Sequence, residues 1–532
     1  MEQSGDEPSP EARLSRWFIS EDRQRRLASI IIGAGALFRI VAYMHNRSLW
    51  INEAMLACGI VQRSFVELLE PLLEYNQSAP VGFLYAVRSA VVVFGPNEYA
   101  LRLIPLLAGL ASLPLFYLLI KRYVGLAAAL PGLLLFAVSE HLIYHSIELK
   151  QYSVDVLATI LVLLAVEPIF RGSQQRRHWL LLGATGLVAV WFSHPVVFVM
   201  AAAGLVLAGR AFYRGDWKQL AVLAGIGLAW LASFGVNYAL ITRHVAANSR
   251  KLHGFEDAFM PLSLSLTTLE WLRHHMTDLT SRVLLLPNTL GCALIGTVCL
   301  IAGTIRMLCR NKVRTVLLVA PVVLCLAASA MHKYPFYERL LLFLAPVLLV
   351  LIGLGADWFV SSERRRELRG LGIAMVALLL ALPTALAVEN AFTGYSEWEM
   401  RPVLEYILER QEPGEPVVAY KGSYAEISYY SDVYGYRPEG YVKAGPAPRD
   451  MEQYRSELKR LFREKGPRVW FILGHHERGS LRPRMLETLD SVAARVESVE
   501  IRRTAAYLYR AEMDGGVKET ERPQAGDSDA QK

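Results

Sequence analysis

Charge is scarce in this sequence. Only 20% of its 532 residues are Asp, Glu, Lys or Arg, while 53% are hydrophobic and the mean hydropathy is positive. Soluble domains carry about 25% charged and about 45–50% apolar residues, so an ordinary soluble globule is excluded. Amphipathic periodicity is also scarce over residues 26–388. Cysteine is rare: there are five, of which Cys292, Cys299, Cys309 and Cys325 lie in or beside apolar runs and Cys58 stands alone. No spacing among them marks a disulfide framework or a thiolate metal site. The chain has no short internal repeat. It also lacks the pattern of a cleavable leader, because "MEQSGDEPSPEARLSRWFISEDRQRR" is too polar and too long ahead of the first apolar run. Residues 1–25 read instead as a cytosolic tail before a signal anchor. The net charge of +7 does not imply a nucleic-acid partner, because the basic residues sit between hydrophobic runs rather than on one face.

What the chain does have is long apolar runs, such as "LLLFLAPVLLVLIGLG" (340–355), long enough with their flanks to cross a bilayer. Twelve candidates stand out: 26–44, 80–95, 99–120, 124–139, 152–170, 178–193, 195–209, 219–242, 288–306, 315–331, 339–359 and 370–388. Basic loops mark the inner face, and "RQRR" (23–26) places the N-terminus inside. With twelve crossings, "KR" (121–122), "RGSQQRR" (171–177) and "SSERRRELR" (361–369) would all face outward. Withdrawing 80–95, which is short and carries Arg88 in its middle, corrects every loop together. The expectation is eleven crossings, with 80–95 re-entrant or at the surface and the C-terminus outside. The outer face then collects 45–98, 140–151, 194, 243–287, 332–338 and everything after 389.

Those outer segments hold the unusual polar residues. "SLWINEAMLA" (48–57) carries Asn52 and Glu53 between Trp50 and a new apolar run. In "SEHLIYHSIELKQYSVD" (139–155), a helix would align Glu148, Tyr152 and Asp155 on one face and turn Lys150 away. "MHKYPFYERLLLF" (331–343) sets Lys333, Glu338 and Arg339 before a span. Each stretch has a plain interfacial reading, with Tyr as a belt residue and Lys150 reaching for water. Each also has a functional one, since Arg offers a planar donor fork that suits phosphate. "SHPVV" (193–197) breaks two spans at His194–Pro195, as a structural link or as a ligand site. "NQSAPVGFLYAVR" (76–88) brings Arg88 into an apolar helix, where it needs an anion or a carboxylate. Together the stretches put acids, bases and aromatics on one membrane face, which suits a substrate with a charged head and a lipid tail.

The ordered motifs resemble those of the bacterial GT-C membrane glycosyltransferases, related to protein O-mannosyltransferases and the lipid A aminoarabinose transferase. In that family a W-x-D-E-A stretch follows the first membrane helix, and "SLWINEAMLA" is similar except at Asn52. A Pro-containing segment follows, here "NQSAPVGFLYAVR". Then come a run close to "FGPNEYALRLIPLLAGLASLPLFYLLIKRYVG" (94–125), a YYSQEARMYSL-like motif, here "IYHSIELKQYSVD" (143–155), and a YP-x-x-x-R step, here "YPFYERLLLF" (334–343). The resemblance covers about residues 26–390. It implies a polyprenyl-phosphate-linked sugar as donor, an acceptor at the outer face, an acidic first motif near the acceptor nucleophile, and outer-loop cations on the lipid phosphate. The donor carries its own leaving group. The chemistry therefore asks for one carboxylate to activate the acceptor and one or two cations for the departing phosphate. Glu53 and Glu148 are the carboxylate candidates, with Asn52 beside Glu53 in the catalytic set. Arg88, Lys150 and Arg339 are the phosphate candidates, and Tyr152, Asp155, His194 and Tyr334 complete the substrate site. Asn52 stands where the family has aspartate, and an amide accepts no proton at neutral pH. No cofactor follows from the residues; a divalent metal stays open, with no residue assigned to it.

Residues 390–513 change character. "EWEMRPVLEYILERQEPGEPVVAYKG" reads as helix, Pro-Gly turn and strand. A helix over 425–435 ends at Gly435, a helix covers 450–465, "PRVWFILGHH" (467–476) is a buried strand, and 495–512 is a closing strand pair. "HHERG" (475–479) reads as a solvated loop or a strand-end site. Residues 514–532 are polar enough to stay disordered.

The expected architecture is mainly α: a polytopic transmembrane bundle over 26–389, followed by a small α/β extracytoplasmic domain. The expected function is transfer of a sugar from a polyprenyl-phosphate donor to a glycan, lipid or protein acceptor of the cell envelope, in the bacterial inner membrane. Membrane lipid is the other expected partner. The alternatives are a flippase for a lipid-linked saccharide, which would favour paired repeats and midplane polar residues, and a catalytically degraded relative.

Overall fold

The computed structural model describes residues 20–70, 77, 79–242, 256–262, 265–283, 290–361, 366–395, 398–446, 448, 450–474 and 481–512. The tail over 514–532, the "HHERG" loop and most of the N-terminal tail lie outside these residues. The chain forms two compact units. The first comprises Met1–Arg47 with Met55–Tyr395, and the second Ser48–Ala54 with Ser396–Lys532.

The helices of the first unit, in chain order, are α1 (Glu21–Met44), α2 (Ile51–Gln62, whose first residues belong to the second unit), α3 (Val81–Phe94), α4 (Glu98–Val124), α5 (Leu126–Val138), α6 (Glu140–Tyr144), α7 (Tyr152–Phe170), α8 (Arg176–Phe192), α9 (Val196–Tyr213), α10 (Trp217–Asn237), α11 (Leu266–Asp278), α12 (Leu290–Arg310), α13 (Lys312–Ala330), α14 (Ala345–Ser361) and α15 (Arg366–Thr393). Among the described residues, nine helices are long and apolar enough to cross a membrane. Two of the expected crossings are shorter: α5 has 13 residues and α8 has 17. At 1.5 Å per residue α5 covers about 20 Å, less than the hydrocarbon core of about 30 Å; α6 follows it after Ser139 alone. Segment 80–95, withdrawn from the crossings on charge grounds, is the 14-residue helix α3.

Lipid tails are as apolar as leucine, so such helices are joined by close packing rather than by hydrophobic burial. Helix α14 is the hub. Its residues Val347–Leu354 are almost wholly enclosed, and it is served by glycines on both sides. A Cβ on Gly303 of α12 would lie 1.8 Å from the Leu351 carbonyl oxygen, and one on Gly355 would lie 1.9 Å from that of Cys299. On the other flank, Gly132 of α5 meets Leu349 and Gly353 in the same manner. The buried charge on α1 is also matched. The Arg39 guanidinium donates to the carbonyls of Gly35 at 2.9 Å, Ala137 at 3.0 Å and Phe136 at 3.2 Å. The last two belong to the final turn of α5, where carbonyls lack helical partners and the dipole is negative.

The second unit contains α16 (Met400–Arg410), β1 (Val417–Ala419), α17 (Tyr424–Tyr434), β2 (Val442–Lys443), α18 (Met451–Lys465), β3 (Arg468–Leu473), α19 (Leu481–Asp490), β4 (Ala494–Ile501) and β5 (Thr504–Arg510). The sheet order is β2-β1-β3-β5-β4. β1 runs parallel to β2 and β3, and β5 is antiparallel to β3 and β4. Helix α17 stops at Gly435, whose φ of 72° is the left-handed cap that glycine adopts freely. Apolar and tyrosyl side chains fill the core, including Tyr454, Phe462, Phe471, Tyr507 and Tyr509. The 48–54 segment is fastened into this unit by polar groups. Ser48 Oγ donates to Glu399 Oε2 at 2.6 Å and accepts from Arg401 N at 3.1 Å. The Leu49 N–H donates to the Tyr430 hydroxyl at 2.8 Å.

The hub can be tested by adding one methyl group. Gly355→Ala and Gly303→Ala force a carbonyl to move and are expected to cost about 1–3 kcal/mol each. They should lower the melting temperature in detergent. Gly225→Ala, on a helix with nothing within 4 Å of the new atom, should leave it unchanged. Equal melting of all three variants would show that α14 is not closely packed.

Candidate active site

The stretch 139–155 is not one helix. Ser139 Oγ accepts from the Leu142 N–H at 3.3 Å and caps α6, which ends at Tyr144. Residues 145–151 form an irregular link, and α7 begins at Tyr152. Glu148 therefore lies on the link, while Tyr152 and Asp155 occupy the first turn of α7. The link is buried and must satisfy its own polar groups. His145 Nδ1 lies 2.5 Å from Glu148 Oε2, and this pair folds the link back on itself. Lys150, only 6% exposed, donates to Gln77 Oε1 at 2.7 Å.

Glu148 is completely enclosed, and a carboxylate in such a place needs cations. Burial works against its charge, but His145, Arg339 and Arg47 act the other way and hold the carboxyl down at about 2. Arg339 also acts on Tyr152, as do Glu148 and Asp155. It sits at the start of a seven-residue 3₁₀ turn, after Glu338 with its φ of 22°. This backbone is costly for a residue other than glycine and persists only where the surroundings impose it. The Arg47 guanidinium stands 4.9 Å from the centre of the Tyr144 ring, and its carbonyl accepts from Arg102 Nη1 at 2.7 Å.

Deeper along α7, Asp155 is hydrogen-bonded by Ser193, which also caps α9 by accepting from the Val196 N–H. Next to it, burial pushes the His194 imidazole down to about 4, and its Nε2 is enclosed with no hydrogen-bond partner. A neutral histidine there can donate or accept without adding charge. The Tyr334 hydroxyl donates to the Leu340 carbonyl at 2.8 Å, and its ring packs edge-on against Phe198. Burial pushes this hydroxyl well above its usual value, with Cys325, Asp155 and Tyr152 adding to the effect.

Of the residues singled out in the sequence, Glu148, Tyr152, Asp155, Tyr334 and Arg339 thus form one electrostatic group in the first unit, with His194 beside Asp155 through Ser193. Arg88 lies on α3 and donates to the Val61 carbonyl at 3.0 Å. Asn52 and Glu53 belong to the second unit. There Glu53 is fully buried and its Oε2 lies 3.4 Å from the Trp50 N–H, the reach-back of a helix-capping acid. His145, Arg47, Arg102 and Gln77 went unnoticed in the sequence. His145, Gln77 and Arg102 lie inside motifs already quoted and Arg47 directly precedes one, but only the His145–Glu148 spacing hinted at a pairing. Among the described residues, no group of three or more His, Cys, Asp and Glu side chains is placed to hold a metal ion.

Comparison with solved structures settles the architecture. ArnT from Cupriavidus metallidurans in its apo state superposes with a TM-score of 0.52 at 15% identity, covering 90% of this chain and 97% of that one. The same enzyme bound to undecaprenyl phosphate gives 0.53 at 13% identity, with the same coverage. This chain has the fold of the GT-C membrane glycosyltransferases. In sequence, residues 78–238 match the family described as dolichyl-phosphate-mannose-protein mannosyltransferase. No curated protein matches the chain. The matched segment contains the His145–Glu148 link, Lys150, Tyr152, Asp155 and His194. Arg339 and the "SLWINEAMLA" segment lie outside it.

The depressed Glu148 value carries a pH signature. The carboxyl binds its proton more weakly in the folded protein, so its stabilisation is complete above the unfolded value near 4.5 and is lost as the pH falls through about 2. Glu148→Gln should melt well below the parent protein at pH 7, with the gap narrowing steadily from pH 4.5 to pH 3. A gap independent of pH over that range would mean that Glu148 is not held ionised.

Proposed function

We propose that this protein is a membrane glycosyltransferase that takes a sugar from a polyprenyl-phosphate donor and passes it to a cell-envelope acceptor at the outer face of the bacterial inner membrane. The observation that carries this reading is the enclosed Glu148, with His145, Arg47 and the partly buried Arg339 acting on it, within an apolar bundle. Ionisable groups buried in such surroundings are costly and commonly serve function. The family match over 78–238 and the fold shared with an enzyme that holds undecaprenyl phosphate support the donor class.

The reaction is a displacement at the anomeric carbon. An acceptor oxygen attacks that carbon and the bond to the phosphate oxygen breaks. The electron pair leaves with the polyprenyl phosphate, and the acceptor proton passes to a carboxylate. Arg339 receives the leaving phosphate with its bidentate fork, and Lys150 and Arg88 exchange Gln77 and a backbone carbonyl for phosphate oxygens. Tyr152, Asp155, His194 and Tyr334 line the substrate. A carboxyl held near 2 is a poor proton acceptor at neutral pH, because efficient bases titrate near the working pH. Glu148 therefore orients the cations, and Glu53 takes the proton. Asn52 contributes a hydrogen bond and no base.

Turnover of a purified lipid-linked sugar, read by the mass of the lipid released, tests these roles. Glu53→Gln keeps the shape of the helix cap and should lower turnover about 10²–10⁴-fold while donor binding persists; Asn52→Asp should change it little. Arg339→Ala should abolish turnover in folded protein, and Arg339→Lys should restore part of it, lacking the planar fork. A strong gain in Asn52→Asp would make position 52 the base site and this chain a weakened enzyme. Donor crossing the membrane with its sugar intact would favour a flippase.

The sidedness is tested separately. A reporter that works only outside the cytoplasm, fused after residue 389, should be active. Activity of a cytoplasmic reporter alone at that junction would overturn the placement of the second unit.

A further inference from the structure

The candidate active site gathers at one end of the bundle, where α7 and α9 begin and α13 finishes. At the other end α7 and α9 finish and α13 begins. A groove of about 860 Å³ lies there. Arg171 follows α7, Arg210 and Arg214 close α9, and Lys312 and Arg314 open α13. The acid beside them is Glu167, which pairs with Arg171 and stands 4.0 Å from Arg314 Nη2. Among the described residues that line this groove, five are cations and none is acidic.

Loops on the inner face of a membrane protein are basic as a rule, but such side chains ordinarily spread into water. Here two of them are held inward. Arg210 Nη1 donates to the Phe170 carbonyl at 2.6 Å, and its guanidinium stands 4.4 Å from the Phe170 ring centre. Arg314 stands 5.3 Å from the same ring and 5.2 Å from that of Tyr123. Its Nη1 donates to the Tyr123 carbonyl at 3.1 Å, while its Nε is enclosed with no hydrogen-bond partner. Arg214 and Arg314 both repel Arg210. Asn311 caps α13 by accepting from the Arg314 N–H, so the positive end of that helix dipole also faces the groove. Such an arrangement is stabilised by an anion.

The remaining wall is greasy. Leu205 and Val316 are 64% and 53% exposed. With Val206 and Ala320 they carry the groove along α9 and α13, away from the charges and into the span of the bundle. From Lys312 to Ala320 the helix rises about 12 Å, enough to lie against the upper part of an acyl chain. A soluble phosphate compound would use the cations and leave this wall bare; a lipid covers both.

We propose that this groove binds an anionic phospholipid at the membrane face opposite the candidate active site. Its phosphate is held by Arg210, Arg214, Lys312 and Arg314. One of its chains lies along Leu205, Val206, Val316 and Ala320.

The test uses the full-length protein in detergent, exchanged in turn into phosphatidylglycerol, phosphatidylcholine, or inorganic phosphate without lipid. Retained molecules are counted by native mass spectrometry. The charge reversals Arg214→Glu and Lys312→Glu are combined, because both side chains are exposed and make none of the backbone contacts described above. The parent protein should retain phosphatidylglycerol, and the double variant should bind it roughly 30-fold more weakly, about 1 kcal/mol for each lost cation. Phosphatidylcholine should bind both proteins equally weakly, and inorganic phosphate should neither be retained nor displace the lipid. Val316→Glu, which places a charge on the apolar wall, should also release phosphatidylglycerol if the double variant proves unstable. Equal retention of the two lipids, or undiminished phosphatidylglycerol on all variants, would overturn the proposal. Displacement of the lipid by inorganic phosphate would overturn it in favour of a soluble phosphate ligand.

Discussion

The first unit depends on one constraint: a charge enclosed among apolar helices must meet its counter-charge or enough dipoles in place. Desolvating an unpaired ion costs several kcal/mol even after relaxation, comparable with the net stability of a whole domain. The fold answers in two ways. Arg39 is given to the terminal carbonyls of α5 and so joins two helices without an acid. Glu148 is given to a histidine and two arginines from distant parts of the chain. The first arrangement engages both Nη atoms with carbonyls and leaves Nε enclosed with no hydrogen-bond partner. The second gathers ionisable groups around one short link, the condition under which a charged substrate can be recognised.

The scaffold around that link is held by close contact of backbones rather than by large side chains. The glycines of α5, α12 and α14 let carbonyls of one helix approach the next. This matters because α14 follows directly on the turn that carries Arg339. A closely packed hub thus stands directly behind the strained turn. In the proposed reaction, stabilisation of the leaving phosphate would require its donors to be in position beforehand.

The second unit follows different rules. It is a sheet with a packed aromatic core, as soluble domains are; several helix ends and strands lie close to where the local pattern placed them, whereas β2 and α19 were not read from it. Gly435 ends a helix, a Pro-Gly turn precedes β1, and two alternating runs close the sheet. One feature was not local. Ser48–Ala54, more than 300 residues away in sequence, is fastened to Glu399 and Tyr430 by hydrogen bonds. Nothing in "SLWINEAMLA" announces that its neighbours come from beyond residue 395.

By itself the sequence determined the helical, membrane-spanning character of the chain, the change to an α/β unit near residue 390, and the motifs in which Glu148, Tyr152, Asp155 and Arg339 occur. These follow from composition, run length and turn chemistry, which are properties of neighbouring residues. Tertiary structure alone decided that 145–151 leaves the helix, that His145 and Arg47 answer Glu148, that Arg39 docks on the terminal carbonyls of α5, and that cations of α9 and α13 converge on one groove. The physical reason is that pairing of buried charges and close approach of helices are set by distance in space. In a bundle of near-uniform apolar helices, the sequence signal for which helix meets which is nearly absent.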